Sequence, residues 1–342
     1  MTVLEGFGNG AGADAGNGIR VVRYEARSTV PLPFASVLHA RRTVRRLLRE
    51  IGPDVVHAHS VRPYGWQAGI AGVHPYVIST WGSDVLLPLP GRRARFWQRR
   101  TLSRADLVTA VSPHMREAAT RHGAHPDRVV EIQFGVDTAR HAPAPTVPSE
   151  TMHLGLDGRP FVFSPRAMKP IYNHPTILAA FARLPGTPLL VMTGRNADAG
   201  HADELGAQMD ELGIRDRVRI VDDASEDEML ALYQSAAVVV SAPLSDSFPL
   251  SLLEAMACGT PVVAGDLPPV RAVLDPVAPD RVVETRDASA MARVLESTLA
   301  LDGDARERLG QRLRRVVIET ADYETNMLRM EDLYRDLAGR SG

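Results

Sequence analysis

Short apolar runs alternate with helical segments along nearly the whole chain, and this alternation limits the possible folds more than any other feature. The run at 236–240, Ala-Ala-Val-Val-Val, is apolar on both strand faces, which is typical of a parallel strand buried between helical layers. With helical spacing between them, similar strands recur near 54–58, 76–80, 107–111 and 189–192. The alternation predicts an α/β fold with doubly wound parallel sheets.

The length and one linker-like segment predict how the chain divides. A chain of 342 residues exceeds a usual single core, so two domains are expected. Residues 141–150 are rich in Pro and Ala, which is typical of a linker. We therefore predict an N-terminal domain at 1–150, a second domain at 151–321 and a last helix at 322–342 that crosses back to the first domain. Two such domains facing each other would enclose a ligand cleft.

The first 18 residues are unusual because they contain six glycines between Gly6 and Gly18. We expect residues 1–18 to be flexible. Only Val3 and Leu4 precede the glycines, which leaves two alternatives: the gene start is displaced, or the first strand of the domain is absent. The glycines do not form a dinucleotide-binding motif, because no strand is predicted before them.

Composition favours a cytoplasmic protein. No run approaches the roughly 20 apolar residues of a membrane-spanning helix, and the N-terminus lacks signal-peptide features. The one cysteine, Cys258, excludes an internal disulfide and a cysteine-cluster metal site. His57 and His59 share a strand face, but no third ligand accompanies them, so no metal site is predicted.

The two halves of the chain carry opposite net charge. Residues 1–150 hold 19 arginines and 12 acidic residues, a net charge of +7, and the remainder carries −9. The arginines cluster at 41–49 and 92–100, with apolar or aromatic residues between them. This pattern fits either an anionic membrane surface as partner or a solvated helix face. Nucleic acid is not expected as a partner, because no nucleic-acid-binding motif accompanies the charge.

Two carboxylates eight positions apart mark the strongest candidate site. Asp246 and Glu254 lie in a largely apolar segment, between the strand at 236–240 and the end of a helix at Gly259. A strand, a polar turn and a helix start form a natural phosphate site, because helix amides and the macrodipole point at the turn. From local physics alone, a helix cap at Asp246 and an internal ion pair at Glu254 remain the alternative.

A second candidate site is a basic loop. Lys169, the only lysine of the chain, follows Arg166 after an apolar strand that begins at Phe161. Open α/β sheets bind ligands beyond the carboxyl ends of their strands, and an ammonium beside a guanidinium suits a diphosphate. A solvated basic loop is the alternative.

The segment 218–263 resembles the donor-binding core of glycosyltransferase family 4, whose members have the GT-B architecture of two Rossmann-like domains facing a cleft. The family motif has two acidic residues separated by seven others and followed by Ala-Met-Ala-Cys-Gly, and Asp246 takes the place of the first Glu. The resemblance implies that Glu254 holds the ribose of a nucleotide sugar, that Asp246 contacts the sugar hydroxyls, and that Arg166 and Lys169 neutralise the phosphates. The residues implied to contact the nucleotide sugar are Gly194, Ser247, Phe248, Pro249, Leu250, Ser251 and Glu254.

The first half resembles the acceptor domain of the same family at 53–60, 105–112 and 133–137. Many family members carry His-Gly-x-Asp where this chain has Trp-Gly-Ser-Asp at 81–84. The residues implied to lie on the acceptor side are His59, Trp81, Gly82, Ser83 and Asp84, the last of which would orient the acceptor hydroxyl.

The resemblance implies a retaining, metal-independent hexosyltransferase without a permanently bound cofactor, acting on a UDP-, GDP- or ADP-sugar and a sugar or glycolipid acceptor. The implied setting is cell-surface glycan or polysaccharide synthesis, in the cytoplasm or peripherally on the inner face of the membrane. Two alternatives share the architecture. One is a nucleotide-sugar-binding subunit that has lost catalysis, suggested by Trp81 and Asp246, and the other is a sugar-nucleotide epimerase.

Overall fold

The computed structural model describes a backbone for 2–5, 20–23 and 34–40, and backbone with side chains for 41–87, 89, 91–144, 155–156 and 159–339. The chain forms two units. Unit 1 comprises Met1–Ile132 together with Leu328–Gly342, and unit 2 comprises Gln133–Met327. Both are α/β units built on parallel strands.

Unit 1 contains short parallel strands and helices. The strands are β1 (Thr2–Glu5), β2 (Arg20–Arg23), β3 (Val56–His59), β4 (Tyr76–Ser79), β5 (Leu107–Ala110) and β6 (Val129–Glu131). The helices before residue 132 are α1 (Phe34–Ile51), α2 (Trp66–Ala71), α3 (Ser83–Leu86), α4 (Arg92–Arg104) and α5 (Pro113–Arg121). Strands β3, β4, β5 and β6 form one sheet in that order, and β1 pairs with β2 in a separate sheet.

The start of the chain differs from the sequence-based expectation. The first strand is not absent, since β1 lies at Thr2–Glu5 and pairs in parallel with β2, with Val3 opposite Val21. The prediction of a flexible segment at 1–18 is therefore wrong for β1, and residues 6–18 lie outside the described residues. The pattern was missed because two apolar residues before a glycine run are too few to indicate a strand.

The core of unit 1 joins segments from both ends of the chain. Val77 and Leu107, from two central strands, pack with Ile132 and with Met330 and Leu337. The last two side chains are seven residues apart on a helix, so they lie on one face. The C-terminal segment therefore completes the core of the N-terminal unit.

Unit 2 contains a six-stranded parallel sheet. Its strands are β7 (Phe161–Ala167), β8 (Leu189–Thr193), β9 (Val218–Val221), β10 (Val238–Ser241), β11 (Val262–Gly265) and β12 (Val282–Val283). Its helices are α6 (His174–Phe181), α7 (Ala199–Glu211), α8 (Glu226–Ser235), α9 (Leu250–Ala257), α10 (Pro268–Leu274), α11 (Ala288–Leu299) and α12 (Gly303–Thr320). Helix α13 (Tyr323–Gly339) begins in unit 2 and continues in unit 1.

The order of this sheet is β12-β11-β10-β7-β8-β9, the order of a doubly wound dinucleotide-binding domain. Its core strands are apolar on both faces as the sequence predicts: every residue of β10 is buried, and so is every residue of β8. The prediction of doubly wound α/β domains is confirmed. Among the described helices, none combines the length and apolar character that crossing a lipid bilayer requires.

Candidate functional site

The topology of unit 2 places a candidate site at one edge of its sheet. Strands β7 and β10 are neighbours, although two strands lie between them in sequence. The direction of winding reverses between them, and in sheets of this type ligands bind beyond the carboxyl ends of the strands at that point. Arg166 lies at the end of β7, and Asp246 follows β10. The fold therefore brings the basic loop and the acidic segment together.

Arg166 is held in place on three sides. Its Nη2 lies 3.7 Å from Oδ2 of Asp246, and both side chains are largely buried. Its guanidinium carbon lies 4.1 Å from the centre of the Tyr172 ring, within the range of a cation–π contact. Its backbone oxygen lies 3.1 Å from Nε2 of His174 in the first turn of α6. These contacts fix a cation at the carboxyl end of β7.

Asp246 terminates the loop that leads into α9. Its Oδ1 accepts hydrogen bonds from the amides of Ser247 at 2.8 Å and Phe248 at 3.3 Å. Burial raises the pKa of Asp246 above its usual range, and Arg166 and the two amides act against that rise. The cap expected from local physics is present, and so is a cation beside it.

Glu254 lies on α9, and its closest described partner is a tyrosine. The hydroxyl of Tyr233, on α8, donates to Oε2 of Glu254 at 2.7 Å. Burial raises the pKa of Glu254, opposed by Tyr233, His141 and Arg166. Burial also raises the pKa of Tyr233, which packs against Phe163 with ring centres 5.3 Å apart. Tyr233 therefore remains a hydrogen-bond donor, because its proton is retained.

The start of α9 has the form of an anion site. Pro249 precedes the first helical residue, and no side chain caps the helix. Phe248 is buried, and Ser247 and Leu250 are partly buried. The hydroxyl of Ser251 is buried and has no hydrogen-bond partner among the described residues. A ligand oxygen at this turn would satisfy that hydroxyl.

The acceptor-side residues lie in unit 1, around the ends of β3 and β4. Trp81 is 47% exposed, and its ring centre lies 6.2 Å from that of His59, which is also exposed. Gly82 has a φ of 122°, a conformation that disfavours a side chain, and Ser83 begins α3. Asp84 is only 5% exposed.

The carboxylate of Asp84 holds this loop together. It accepts hydrogen bonds from the amides of Trp81 at 3.0 Å, Gly82 at 2.9 Å and Val61 at 2.9 Å. Val61 follows β3, and the other two amides follow β4. The side chain therefore ties two neighbouring loops to each other through backbone groups.

Two family models match the chain on either side of residues 141–150. The model described as Glycosyltransferase Family 4 matches residues 2–140, and the model described as Glycosyl transferases group 1 matches residues 151–316. The chain belongs to the family 4 glycosyltransferases. The GT-B fold expected from the resemblance is confirmed by the two parallel-sheet units and by the solved structures that resemble them.

Curated relatives include D-inositol 3-phosphate glycosyltransferases of mycobacteria. One from Mycobacterium sp. (strain KMS) is 32% identical over 219 residues, which cover 62% of this chain and 49% of the relative. The one from Mycobacterium tuberculosis (strain F11) is 32% identical over 177 residues, with 50% and 37% covered. This family 4 chain thus matches half or less of the length of these relatives.

Solved structures resemble nearly the whole chain at low sequence identity. A glycosyltransferase from Rickettsia africae has a TM-score of 0.80 at 17% identity and covers 93% of this chain and 85% of its own. Anabaena HepE in complex with UDP and glucose has a TM-score of 0.75 at 17% identity, with 93% and 86% covered. A sucrose-phosphate synthase from Thermosynechococcus elongatus reaches 0.81 at 21% identity, with 99% and 89% covered.

Two of the donor residues predicted for this family 4 enzyme are placed differently from Arg166. The side chain of Lys169 is exposed and forms no ion pair with the residues that the structure describes. Gly194 follows β8, and a Cβ there would lie 2.1 Å from Oδ1 of Asp222. Close packing against Asp222 is therefore sufficient to explain the glycine.

The sequence missed two polar side chains at these sites. Tyr233 gave no signal, because it lies 21 residues before Glu254 on a different helix. The second is Tyr334, whose hydroxyl hydrogen-bonds Nδ1 of His57, while Nε2 of His57 lies 2.8 Å from Oγ of Ser79. Within the described residues, no group of three or more His, Cys, Asp or Glu side chains is arranged to hold a metal ion.

Proposed function

We propose that this protein transfers a sugar, with retention of configuration, from a nucleotide-diphosphate sugar to an acceptor hydroxyl. The observation that carries the proposal is the meeting of Arg166, Asp246 and the uncapped start of α9 where β7 and β10 adjoin. Cations and helix amides favour a diphosphate there, and carboxylates favour hydroxyl groups. A UDP-sugar is the first donor to test, because HepE has been solved with UDP and with UDP-glucose.

Each donor-side group has a proposed role. Glu254, oriented by the hydroxyl of Tyr233, accepts from the ribose hydroxyls, and Asp246 accepts from hydroxyls of the transferred sugar. The segment from Ser247 to Ser251 faces the diphosphate with its amides and the free hydroxyl of Ser251. Arg166 neutralises the diphosphate, and the exposed Lys169 adds a second charge once the donor is bound.

The proposed chemistry depends on the leaving group. As the bond to the sugar breaks, negative charge grows on the diphosphate, and the fixed donors around it stabilise that charge. Two cations and helix amides supply this without a metal ion. A phosphate oxygen of the donor takes the proton of the acceptor hydroxyl as the new bond forms on the same face of the sugar. No enzyme nucleophile is part of this proposal.

The acceptor side is proposed to be the loop held by Asp84. Exposed Trp81 offers an apolar ring face to a sugar or a similar polyhydroxylated ring, and His59 and Ser83 add polar groups. Asp84 is proposed as a positioning residue, since its hydrogen bonds run to three backbone amides. The names of the curated relatives make a phosphorylated cyclitol one acceptor to test, beside sugars and glycolipids of cell-surface glycan synthesis.

The experiment is a donor panel with product identification. Purified protein is incubated with UDP-, GDP- and ADP-sugars, and released nucleotide is measured with and without candidate acceptors. We expect slow donor hydrolysis with one nucleotide class, faster release with an acceptor, and loss of both in Glu254→Ala. Binding of a donor without release by the unaltered protein would support a binding-only subunit instead. Epimerised nucleotide sugar without a transfer product would support an epimerase.

Peripheral membrane binding is proposed on a separate observation. The described arginines of α1 and α4 are all exposed, and Phe96 on α4 is 59% exposed among them. Arginines around an exposed aromatic ring are typical of helices that lie on anionic lipid. The inner face of a cell membrane is the proposed surface.

A further inference from the structure

Unit 2 has a second cavity that includes no proposed donor residue. Its volume is about 430 Å³, within the range of small-molecule sites. It lies against α12 and the segments that precede α11 and α12. The lining residues are Arg281, Leu301, Ala305, Arg308, Leu309, Gln311, Arg312 and Arg315.

Helical spacing brings most of these residues together. Ala305 and the arginines at 308, 312 and 315 fall at i, i+3, i+7 and i+10 of α12, so they form one stripe. Leu313 and Val317 lie on another stripe and are buried. The arginine stripe is therefore a regular feature of α12, and it is the stripe that the core of unit 2 does not cover.

The charge on the lining is entirely positive. Four of the eight lining residues are arginines and none is acidic. Arg308, Arg312 and Arg315 are exposed and make no hydrogen bond or ion pair with any residue that the structure describes. By contrast, the exposed Arg271 pairs with both Asp266 and Asp275. The cluster is notable because residues 151–342 carry a net charge of −9.

The fourth arginine is fixed in place by the fold. Arg281 is 9% exposed, and its Nη1 donates to Oγ1 of Thr298. Its Nε lies 3.1 Å from Oδ2 of Asp280 but is buried without a hydrogen bond to a described residue. Gln311 donates to Glu307 at 3.0 Å. Asp280 and Glu307 are thus the acidic neighbours of the lining, and neither one lines the cavity.

We propose that this cavity binds a small phosphate compound with at least two negative charges. Guanidinium groups match phosphate oxygens with paired hydrogen bonds, and four of them repel one another until an anion lies between them. Leu301, Ala305 and Leu309 add apolar surface for a small carbon skeleton. This site is independent of the proposed donor site, because the two share no residue.

Inorganic tripolyphosphate is the probe, and isothermal titration calorimetry measures its binding. The full chain carrying Arg166→Gln and Lys169→Gln is used, so that the proposed donor site does not contribute. Arg308→Gln with Arg312→Gln in this background is expected to weaken binding by about tenfold or more, since hydrogen bonds to charged groups are lost. The matched control is Arg183→Gln with Arg293→Gln, which removes two exposed charges of unit 2 outside the cavity.

The control pair is expected to retain binding within about twofold, a change that screened long-range charge alone produces. Equal weakening by both pairs would overturn the proposal, because binding would then follow net charge and not the cavity. Absence of measurable tripolyphosphate binding before the cavity is altered would overturn it as well. Circular dichroism of each variant establishes that α12 is retained, and a variant that loses it is replaced by Arg312→Lys with Arg315→Lys, for which a smaller loss is expected.

Discussion

Glu254 is a carboxyl group whose burial has opposite consequences for stability and for binding. Burial raises its folded-state pKa above the ordinary value of 4.5, although Tyr233 donates to it. As the pH rises, the unfolded chain therefore loses this proton first, and ionisation favours unfolding. The stability that the neutral carboxyl contributes is complete below pH 4.5 and is lost as the pH rises through the folded-state pKa.

We expect Glu254→Gln to be more stable than the unaltered protein at pH 8 by about 1 kcal/mol, because the amide still accepts from Tyr233 without a buried charge. Near pH 4 the two proteins should be equally stable. Urea unfolding at both pH values measures the difference, with Glu296→Gln as an exposed control on α11. A less stable Glu254→Gln at pH 8 would contradict the argument, and its donor hydrolysis is expected to be lost.

His57 predicts an acid-sensitive unit 1. Burial, and secondly His59, lowers its pKa from 6.5 to about 3. The unfolded chain takes up the proton first as the pH falls, so the stability present above pH 6.5 is lost as the pH falls toward 3. This loss amounts to about 2 kcal/mol between pH 8 and pH 5.

We expect His57→Gln to lose less stability over that interval than the unaltered protein, because glutamine does not titrate. Hydrogen exchange of the amides in β4 and β5, followed at pH 8 and pH 5, reports on this unit. Exposed His125→Gln is the control and should keep the full pH dependence. The same dependence in His57→Gln and in the unaltered protein would show that another group is responsible.

Single residues were predictable from the sequence where the partners are close along the chain. Asp246 and Glu254 lie in one loop and one helix, so spacing alone indicated a shared site. The contacts of Glu254 with Tyr233 and of His57 with Tyr334 join residues 21 and 277 positions apart. Only the packing of helices on the sheets brings such pairs together, and local patterns carry no trace of it.

At the scale of elements, α9 depends on close contact with α12. A Cβ at Gly310 would lie 2.2 Å from the backbone oxygen of Gly259, which follows α9. Arg314, also on α12, donates to the backbone oxygens of Ala257 at the end of α9 and of Thr138. The position of the proposed donor helix is therefore set by α12.

Gly310→Ala is expected to destabilise unit 2 by about 2 kcal/mol, because the backbone oxygen cannot move aside as a side chain would. Donor binding should weaken in the same variant, since α9 carries Glu254. Thermal unfolding and donor titration measure the two effects. Gly303→Ala adds a methyl group to the first turn of the same helix where nothing lies within 4 Å, and should change neither. Equal effects of both substitutions would refute the role of the contact.

Elements with a long apolar run could be predicted, and short ones could not. The strands β9 and β10 have the predicted bounds, because four consecutive residues of strong strand preference are bounded by polar segments. Strands β1 and β12, of four and two residues, were missed. Their strand conformation depends on pairing with a neighbouring strand, which a local pattern does not reveal.

At the scale of the molecule, the separation of charge along the sequence predicts salt-dependent binding to membranes. We expect the protein to sediment with vesicles containing anionic lipid at low salt and to be released at high salt, because screening shortens the range of the attraction. Arg99→Gln with Arg100→Gln on α4 should reduce the bound fraction. Arg183→Gln with Arg293→Gln, the same change of charge in unit 2, should not. Equal sedimentation with neutral and anionic vesicles would rule out this surface.

The division into two α/β units could be predicted because the alternation of strands and helices stops at 141–150 and then resumes. The boundary itself differs: residues 133–144 belong with unit 2, where Val136 pairs with Asp322 and Gln234 donates to Ala142. The Pro- and Ala-rich composition marks where regular structure stops. It does not indicate which unit the flanking residues join, because that depends on contacts with distant parts of the chain.

Unit 1 is assembled from both ends of the polypeptide, and this has a consequence for engineering. Met330 and Leu337 complete a core that otherwise comes from the first 132 residues. Exchanging only the leading segment for that of a homologue would leave the graft facing a mismatched partner helix. A chimera designed to accept a new co-substrate must therefore transplant the tail together with the head, while the intervening 195 residues stay as they are.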